Sequence, residues 1–227
     1  MTAVIPKAVI FDCDGVVMDS EPISFALLSE QLALHGKPLS HAEMRALFLG
    51  GTLRSFWEGA RAIGAMLPDD WVAAQYDRMF ARLAQGTPLV DGIEAVLDAL
   101  DAAGLPYAIG SNGPLRKMEI MFAQHPGLWE RFGGRIYSSQ MLGAPKPAPD
   151  VFLHAASAMG VAVRDCVVIE DSVAGLRAAK AAGMRGFGFA AEDDGAALAA
   201  EGATVFYRMP DLPGLLGLAG HATTYCG

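Results

Sequence analysis

The chain has 227 residues, 17 Lys and Arg against 25 Asp and Glu, and a formal net charge of −8. That length suits one large domain or two smaller ones with a real core, and 52% hydrophobic against 19% charged residues excludes a disordered chain. The acidic surplus argues against nucleic acid, whose binding needs Lys and Arg to displace counterions, against an anionic membrane surface and, at face value, against anionic ligands.

Mean hydropathy is +0.31, yet no apolar run approaches the ~18–20 residues that a bilayer span requires. Helical alanine, as in Ala178-Ala179-Lys180-Ala181-Ala182, accounts for much of the figure. Cys13, Cys166 and Cys226 form no CxxC pair and no disulfide framework. Cys13 and Cys166 sit in or beside apolar runs and read as buried small hydrophobes. Met1 to Lys7 lacks the basic and apolar segments of a signal peptide, so a reducing cytoplasm is the expected location.

The first apolar run, Lys7–Asp12, reads as a strand. From Asp19 to about Gly86 only helical patterns follow: Ile23–Leu34, His41–Leu47, Leu53–Met66 and Trp71–Ala84. That interval is too long for a simple crossover and reads as an inserted all-helical subdomain. Helix and strand then alternate: helix Gly92–Ala103, strand Tyr107–Asn112, helix Leu115–Gln124, strand Arg135–Ser139, helix Asp150–Met159, strand Cys166–Asp171, helix Ser172–Ala182 and strand Arg185–Ala190. Ala203–Tyr207 is a weaker sixth strand. Gly104, Gly160 and Gly183 stand where left-handed helix caps belong. The alternation predicts an α/β fold, a Rossmann-like parallel sheet with helices on both faces.

In such sheets ligands bind beyond the carboxyl ends of the strands. Those ends read Asp12-Cys13-Asp14-Gly15, Ser111-Asn112-Gly113 and Glu170-Asp171-Ser172. A lone Asp at a strand end is commonly a turn or cap residue. Asp12 and Asp14 lie two apart, however, and Glu170-Asp171 occupies a matching end. Four carboxylates in one crevice repel unless protonated or neutralised by a cation, and an all-oxygen set suits Mg²⁺ better than a soft metal. Ser111 and Asn112 could simply cap the next helix or form an anion cradle at its start. Lys146 lies in Ala144-Pro145-Lys146-Pro147-Ala148-Pro149, where flanking prolines cut backbone freedom.

Taken in order, DCDGVVMDS at Asp12–Ser20, SNG at Ser111–Gly113, the Pro-flanked Lys146 and EDSVAG at Glu170–Gly175 resemble the four motifs of the haloacid dehalogenase superfamily. The similarity is to its subfamily I with a C1 cap, in the sugar-phosphate phosphatase and β-phosphoglucomutase branch, including 6-phosphogluconate phosphatase-type enzymes. The resemblance implies a catalytic core of residues 1–17 and 88–227 and a helical cap of residues 18–87, hinged near Val17–Glu21 and Gly86–Pro88. It implies Asp12 as nucleophile and Asp14 as general acid and base. Mg²⁺ would be held by Asp12, Asp14 (through its backbone carbonyl) and Asp171, with Glu170 nearby. Ser111, Asn112 and Lys146 would hold phosphate, and the substrate would be a small phosphate ester.

Family members that expel halide generally lack the second aspartate, so Asp14 favours phosphoryl transfer. Mutases of the branch carry a His where this chain has Ser24, and tend to place an Arg directly after a Gly-x-(Ser/Thr) step. Here Gly50-Gly51-Thr52 is followed by Leu53, with Arg54 one place on. A phosphatase is therefore expected, with a β-phosphoglucomutase-type mutase as the alternative and a non-catalytic binding protein less favoured. Phe48–Arg54 is the segment expected to discriminate substrates. Trp57, Trp71 and Phe56 read as cap core, His154 as an ordinary helix residue, and His35, His41, His125 and His221 have no partner motif.

Overall fold

The computed structural model describes residues 5–218, so Cys226 and His221 lie outside the described residues. Strands β1 (Ala8–Phe11), β2 (Tyr107–Ser111), β3 (Ile136–Ser138), β4 (Cys166–Glu170), β5 (Arg185–Phe189) and β6 (Thr204–Phe206) form one sheet in the order β3-β2-β1-β4-β5-β6. Every neighbouring pair is parallel. The predicted strands are all present, including the weaker sixth, each shorter by one or two residues.

β1, β2 and β4 are buried along their whole length because helices cover both faces. Alternate residues divide between the layers. Val9, Phe11, Ile109, Val167 and Ile169 meet α5 (Ile93–Ala102), α6 (Leu115–Phe122) and α7 (Pro126–Phe132). Ala8, Ile10, Ala108, Cys166 and Val168 meet α9 (Asp150–Ala158) and α10 (Val173–Ala181). Gly104, Gly160 and Gly183 all take positive φ just after a helix, as expected of left-handed caps.

Between β1 and α5 the chain forms α1 (Glu21–Leu34), α2 (His41–Phe48), α3 (Leu53–Ala62) and α4 (Trp71–Leu83). Reciprocal capping boxes start α2 at Ser40/Glu43 and α3 at Thr52/Ser55. Phe56 stacks on Trp71 in this group, with ring centroids 5.4 Å apart. Trp57, expected in the core, is half-buried: it packs against the core cluster, and the guanidinium groups of Arg54 and Arg61 lie over its ring. The segments entering and leaving the group pair with each other: Asp19 N donates to Pro88 O at 2.9 Å, and Val90 N to Val17 O at 3.1 Å. Short helices α8 (Ser139–Leu142), α11 (Ala196–Ala200) and α12 (Leu212–Leu215) complete the chain.

Phe152 of α9 is fully buried against Gly110 of β2, where even a Cβ on the glycine would come within 3.1 Å of the ring. We expect Phe152→Ala to cost about 3–5 kcal/mol of stability, since the cavity cannot collapse in a close-packed layer. Urea denaturation would measure it, and a loss under about 1 kcal/mol would mean that the layer relaxes freely.

Candidate active site

The carboxyl ends of β1, β2 and β4 meet at the switch point of the sheet, and the predicted residues gather there. Lys146 Nζ lies 2.5 Å from Asp12 Oδ1 and 2.6 Å from Glu170 Oε1, with the lysine side chain only 2% exposed. The other Glu170 oxygen accepts from Ser172 N at 3.1 Å and Ser172 Oγ at 2.8 Å. Carboxylate oxygens of Asp12, Glu170 and Asp171 all lie within 4.8 Å of one another.

This cluster is overloaded with negative charge. Burial, with the neighbouring Glu170 and Asp14 carboxylates, pushes Asp12 up to about 7 despite the Lys146 ammonium. Burial, with Glu21, Glu170 and Asp12, raises Asp171 well above the ordinary carboxylate range. Lys146 is held above its usual value, the Asp12 and Glu170 carboxylates outweighing the effect of burial. One ammonium does not balance these acids. An oxygen donor set with surplus charge fits a hard divalent cation.

Asp14 has a different environment. Its Oδ1 accepts from Ser20 Oγ and, at 2.6 Å, from Lys117 Nζ. Burial alone would raise Asp14, but the Lys117 ion pair and these two hydrogen bonds hold it below its ordinary value. Lys117, with a side chain 9% exposed, is the site residue that sequence reading missed. In Leu115-Arg116-Lys117-Met118 it looks like any polar helix position, and only the fold brings it to Asp14.

The Ser111-Asn112-Gly113 turn is organised by its own bonds. Gly113 N donates to Ser111 Oγ at 3.0 Å, which leaves the hydroxyl proton available to a ligand. The Asn112 side chain is committed to the protein. Its Nδ2 donates to Gly50 O at 2.9 Å and Lys146 O at 3.4 Å, and its Oδ1 accepts from Ser139 Oγ and Lys146 N, each at 2.8 Å. With both amide protons used, the side chain braces the Lys146 loop.

A pocket of about 840 Å³, mouth included, opens over these groups. Phe48 to Leu53, most of the segment expected to discriminate substrates, line it, but Arg54 turns away to pair with Glu58 at 2.7 Å. The remaining wall is Phe25, Leu28, Phe56, Tyr76 and Met79. The described histidines stay outside this pocket's lining. His125 meets Thr87 O at 2.8 Å, His41 lies 3.4 Å from Glu192, and the exposed His154 packs edge-on against Tyr137. The Cys13 thiol is fully buried, and burial raises it well above its ordinary value, as expected of an inert core residue.

The sheet order, the carboxylates at its switch point and the pocket above them define an α/β fold with a polar, acid-rich site at its strand ends. The family model for haloacid dehalogenase-like hydrolases matches residues 6–183, and the chain belongs to that family. A phosphoglycolate phosphatase of Xylella fastidiosa is 33% identical over 186 residues, covering 79% of this chain and 78% of the relative. A 6-phosphogluconate phosphatase of Escherichia coli is 30% identical over 211 residues, covering 92% and 94%. A crystal structure of a family hydrolase from Deinococcus radiodurans, with bound phosphate and sodium, superposes with TM-score 0.76 at 33% identity, covering 94% and 97%. Among the described residues no helix is long and apolar enough to cross a membrane.

Glycine is required where the cluster meets α10. A Cβ on Gly175 would lie 1.8 Å from Glu170 Oε1, and Glu170 is pinned by Lys146 and Ser172. We expect Gly175→Ala to cost about 1–3 kcal/mol by overpacking, whereas Gly127→Ala, with nothing within 4 Å, should be neutral or slightly stabilising. Thermal melts of the pair decide it; equal shifts would remove the crowding argument.

Proposed function

We propose that this chain is a Mg²⁺-dependent phosphatase that hydrolyses a small phosphate monoester, a sugar or sugar-acid phosphate, through a phosphoaspartate on Asp12. The observation that carries the reading is the gathering of Asp12, Asp14, Ser111, Lys146, Glu170 and Asp171 around one pocket, on a sheet whose relatives bear phosphatase names. Asp12, the Asp14 carbonyl and Asp171 would hold the metal, with Glu170 alongside, and the bound cation would neutralise crowded oxygens as charge redistributes.

The chain's own groups perform the remaining steps. Asp12 uses a carboxylate lone pair to form a bond to phosphorus while the phosphorus–oxygen bond to the leaving alcohol breaks. Asp14 gives its proton to the departing oxygen, then takes one from the water that attacks phosphorus, releasing inorganic phosphate and regenerating Asp12. Lys146 places positive charge beside the nucleophile, and the Ser111 hydroxyl proton is available to a non-bridging oxygen. Residues 18–87 act as a cap, turning on the paired segments around Val17 to Asp19 and Pro88 to Val90, and exclude water when closed.

Hydrolysis is favoured over mutase chemistry by where the cap arginines go. Arg54 pairs with Glu58, Arg61 with Asp69, Arg82 with Glu30, and Arg78 donates to Gln31. Arg45 is held by Glu21 at 2.9 Å and Glu192 at 3.0 Å, and among the described residues no Arg or Lys of α1–α4 lines the pocket, which supports hydrolysis over the engagement of a second phosphate that a mutase needs.

We expect Asp12→Asn to abolish Mg²⁺-dependent hydrolysis of an aryl phosphate; full turnover in that variant would sink the assignment of nucleophile. A second expectation concerns protons. Asp12 and Asp171 carry raised pKa values and must ionise to bind a cation, so apparent Mg²⁺ affinity should climb as pH rises through about 7. Calorimetric titrations in buffers of different ionisation enthalpy would count the protons released. Affinity that stays flat across that range would place the metal elsewhere.

A further inference from the structure

A lysine in the first turn of a helix is poorly placed, because the helix dipole already makes that end positive. Burial makes the position worse, since lysine is almost never buried without a partner. Lys117 is the third residue of α6 and is buried all the same. Its partner is Asp14, at 2.6 Å. A cation kept where helix and burial both oppose it points to a role in the site.

The geometry shows what that role is. Lys117 Nζ and Ser20 Oγ both bond to Oδ1 of Asp14. Oδ2 takes neither bond, and it faces the turn where a Cβ on Gly113 would come within 3.6 Å of it. That turn carries Ser111 and lines the same pocket. A carboxyl group whose Oδ1 is filled by two donors has its proton on Oδ2 by exclusion, because a protonated Oδ1 would set a donor against the ammonium.

We propose that Lys117 is a positioning residue for the leaving-group proton transfer. Together with Ser20 it fixes the Asp14 carboxyl so that Oδ2 alone exchanges the proton with the departing alcohol oxygen, and its charge stabilises the carboxylate that the transfer leaves behind. The proposal deepens the phosphatase reading above and rests on it. Lys146, by contrast, serves the nucleophile and the phosphate, so the two lysines act on different halves of the reaction.

A leaving group that departs without a proton should be nearly indifferent to Lys117, and this gives the test. Lys117→Met and Lys117→Gln, each checked for an unchanged fold by circular dichroism and thermal melting, are assayed on an alkyl phosphate monoester and on p-nitrophenyl phosphate. We expect kcat for the alkyl ester to fall by about 10²-fold, the low end of general acid–base contributions, with KM little changed. The aryl ester should lose much less, and Lys117→Gln, which retains a donor, should lose less than Lys117→Met. Equal losses on both esters carried by KM would make Lys117 a phosphate ligand. Equal losses in kcat would make it part of the nucleophilic step, and no loss on either would leave Ser20 sufficient; each of these overturns the proposal. A variant too unstable to assay, with Gln at the position as damaging as Met, would make Lys117 structural and overturn it too. Hydrolysis of neither ester by the wild-type enzyme would remove the phosphatase reading itself.

Discussion

The Lys146 ammonium between Asp12 and Glu170 is the contact on which the rest of the site depends. Two carboxylates at the ends of adjacent parallel strands, with a third from Asp171, cannot be desolvated together without a counter-charge. Lys146 supplies that charge from a separate loop. Its position is enforced from several directions: prolines on either side, the Asn112 carbonyl oxygen on its backbone nitrogen, and the Phe152 ring 4.8 Å from its ammonium. Glu170 is fixed in turn by Ser172, which also caps α10 by accepting from Gly175 N at 3.0 Å. The polar cluster is thus tied to helix starts and strand ends, and carboxylates in excess of the ammonium leave it suited to a further cation.

Asp12 and Asp14 are two residues apart, yet their environments diverge. Lys146 faces the first amid other carboxylates, and the net effect with burial is a raised pKa. Lys117 and Ser20 face the second, partly exposed, and the net effect is a lowered one. Paired acids whose surroundings push them apart are suited to distinct chemical roles. Asn112 adds a mechanical link: its amide joins the Gly50 carbonyl, between α2 and α3, to the Lys146 loop. The α2–α3 turn and the loop that carries Lys146 are thus joined through one side chain.

The sheet was legible in the sequence because strands buried on both faces must be continuous apolar runs, as in Val9 to Phe11 and Val167 to Ile169. The polar residues at the ends of those runs then pointed to the site. Three things were not legible, each because it is decided by packing. Lys117 sits beside the apolar positions of α6, and its burial arises only when Asp14 arrives from β1. Arg54 could face the pocket or the solvent by local rules, and the partner Glu58 with the Trp57 ring draws it outward. The short helices α7, α8, α11 and α12 are too brief for intrinsic propensity to specify; α7, for instance, exists because Leu128 and Phe132 reach the core.

The Asn112 side chain shows the limit of motif reading in another way. Its residue type at a strand end is equally consistent with a cap, an anion ligand or a brace, and its donors decide among them. Once both amide protons are spent on the Gly50 and Lys146 carbonyls, the side chain acts as a brace between the two segments. The same logic revises what a net charge of −8 excludes. Long-range repulsion is screened over about 8–10 Å in physiological salt, while the pocket at the switch point is lined by Lys146 and Lys117 among its carboxylates. Net charge governs encounters with extended polyanions, which sample the whole surface. A small phosphate ester samples one crevice, and there the acids are the means of holding positive charge in place.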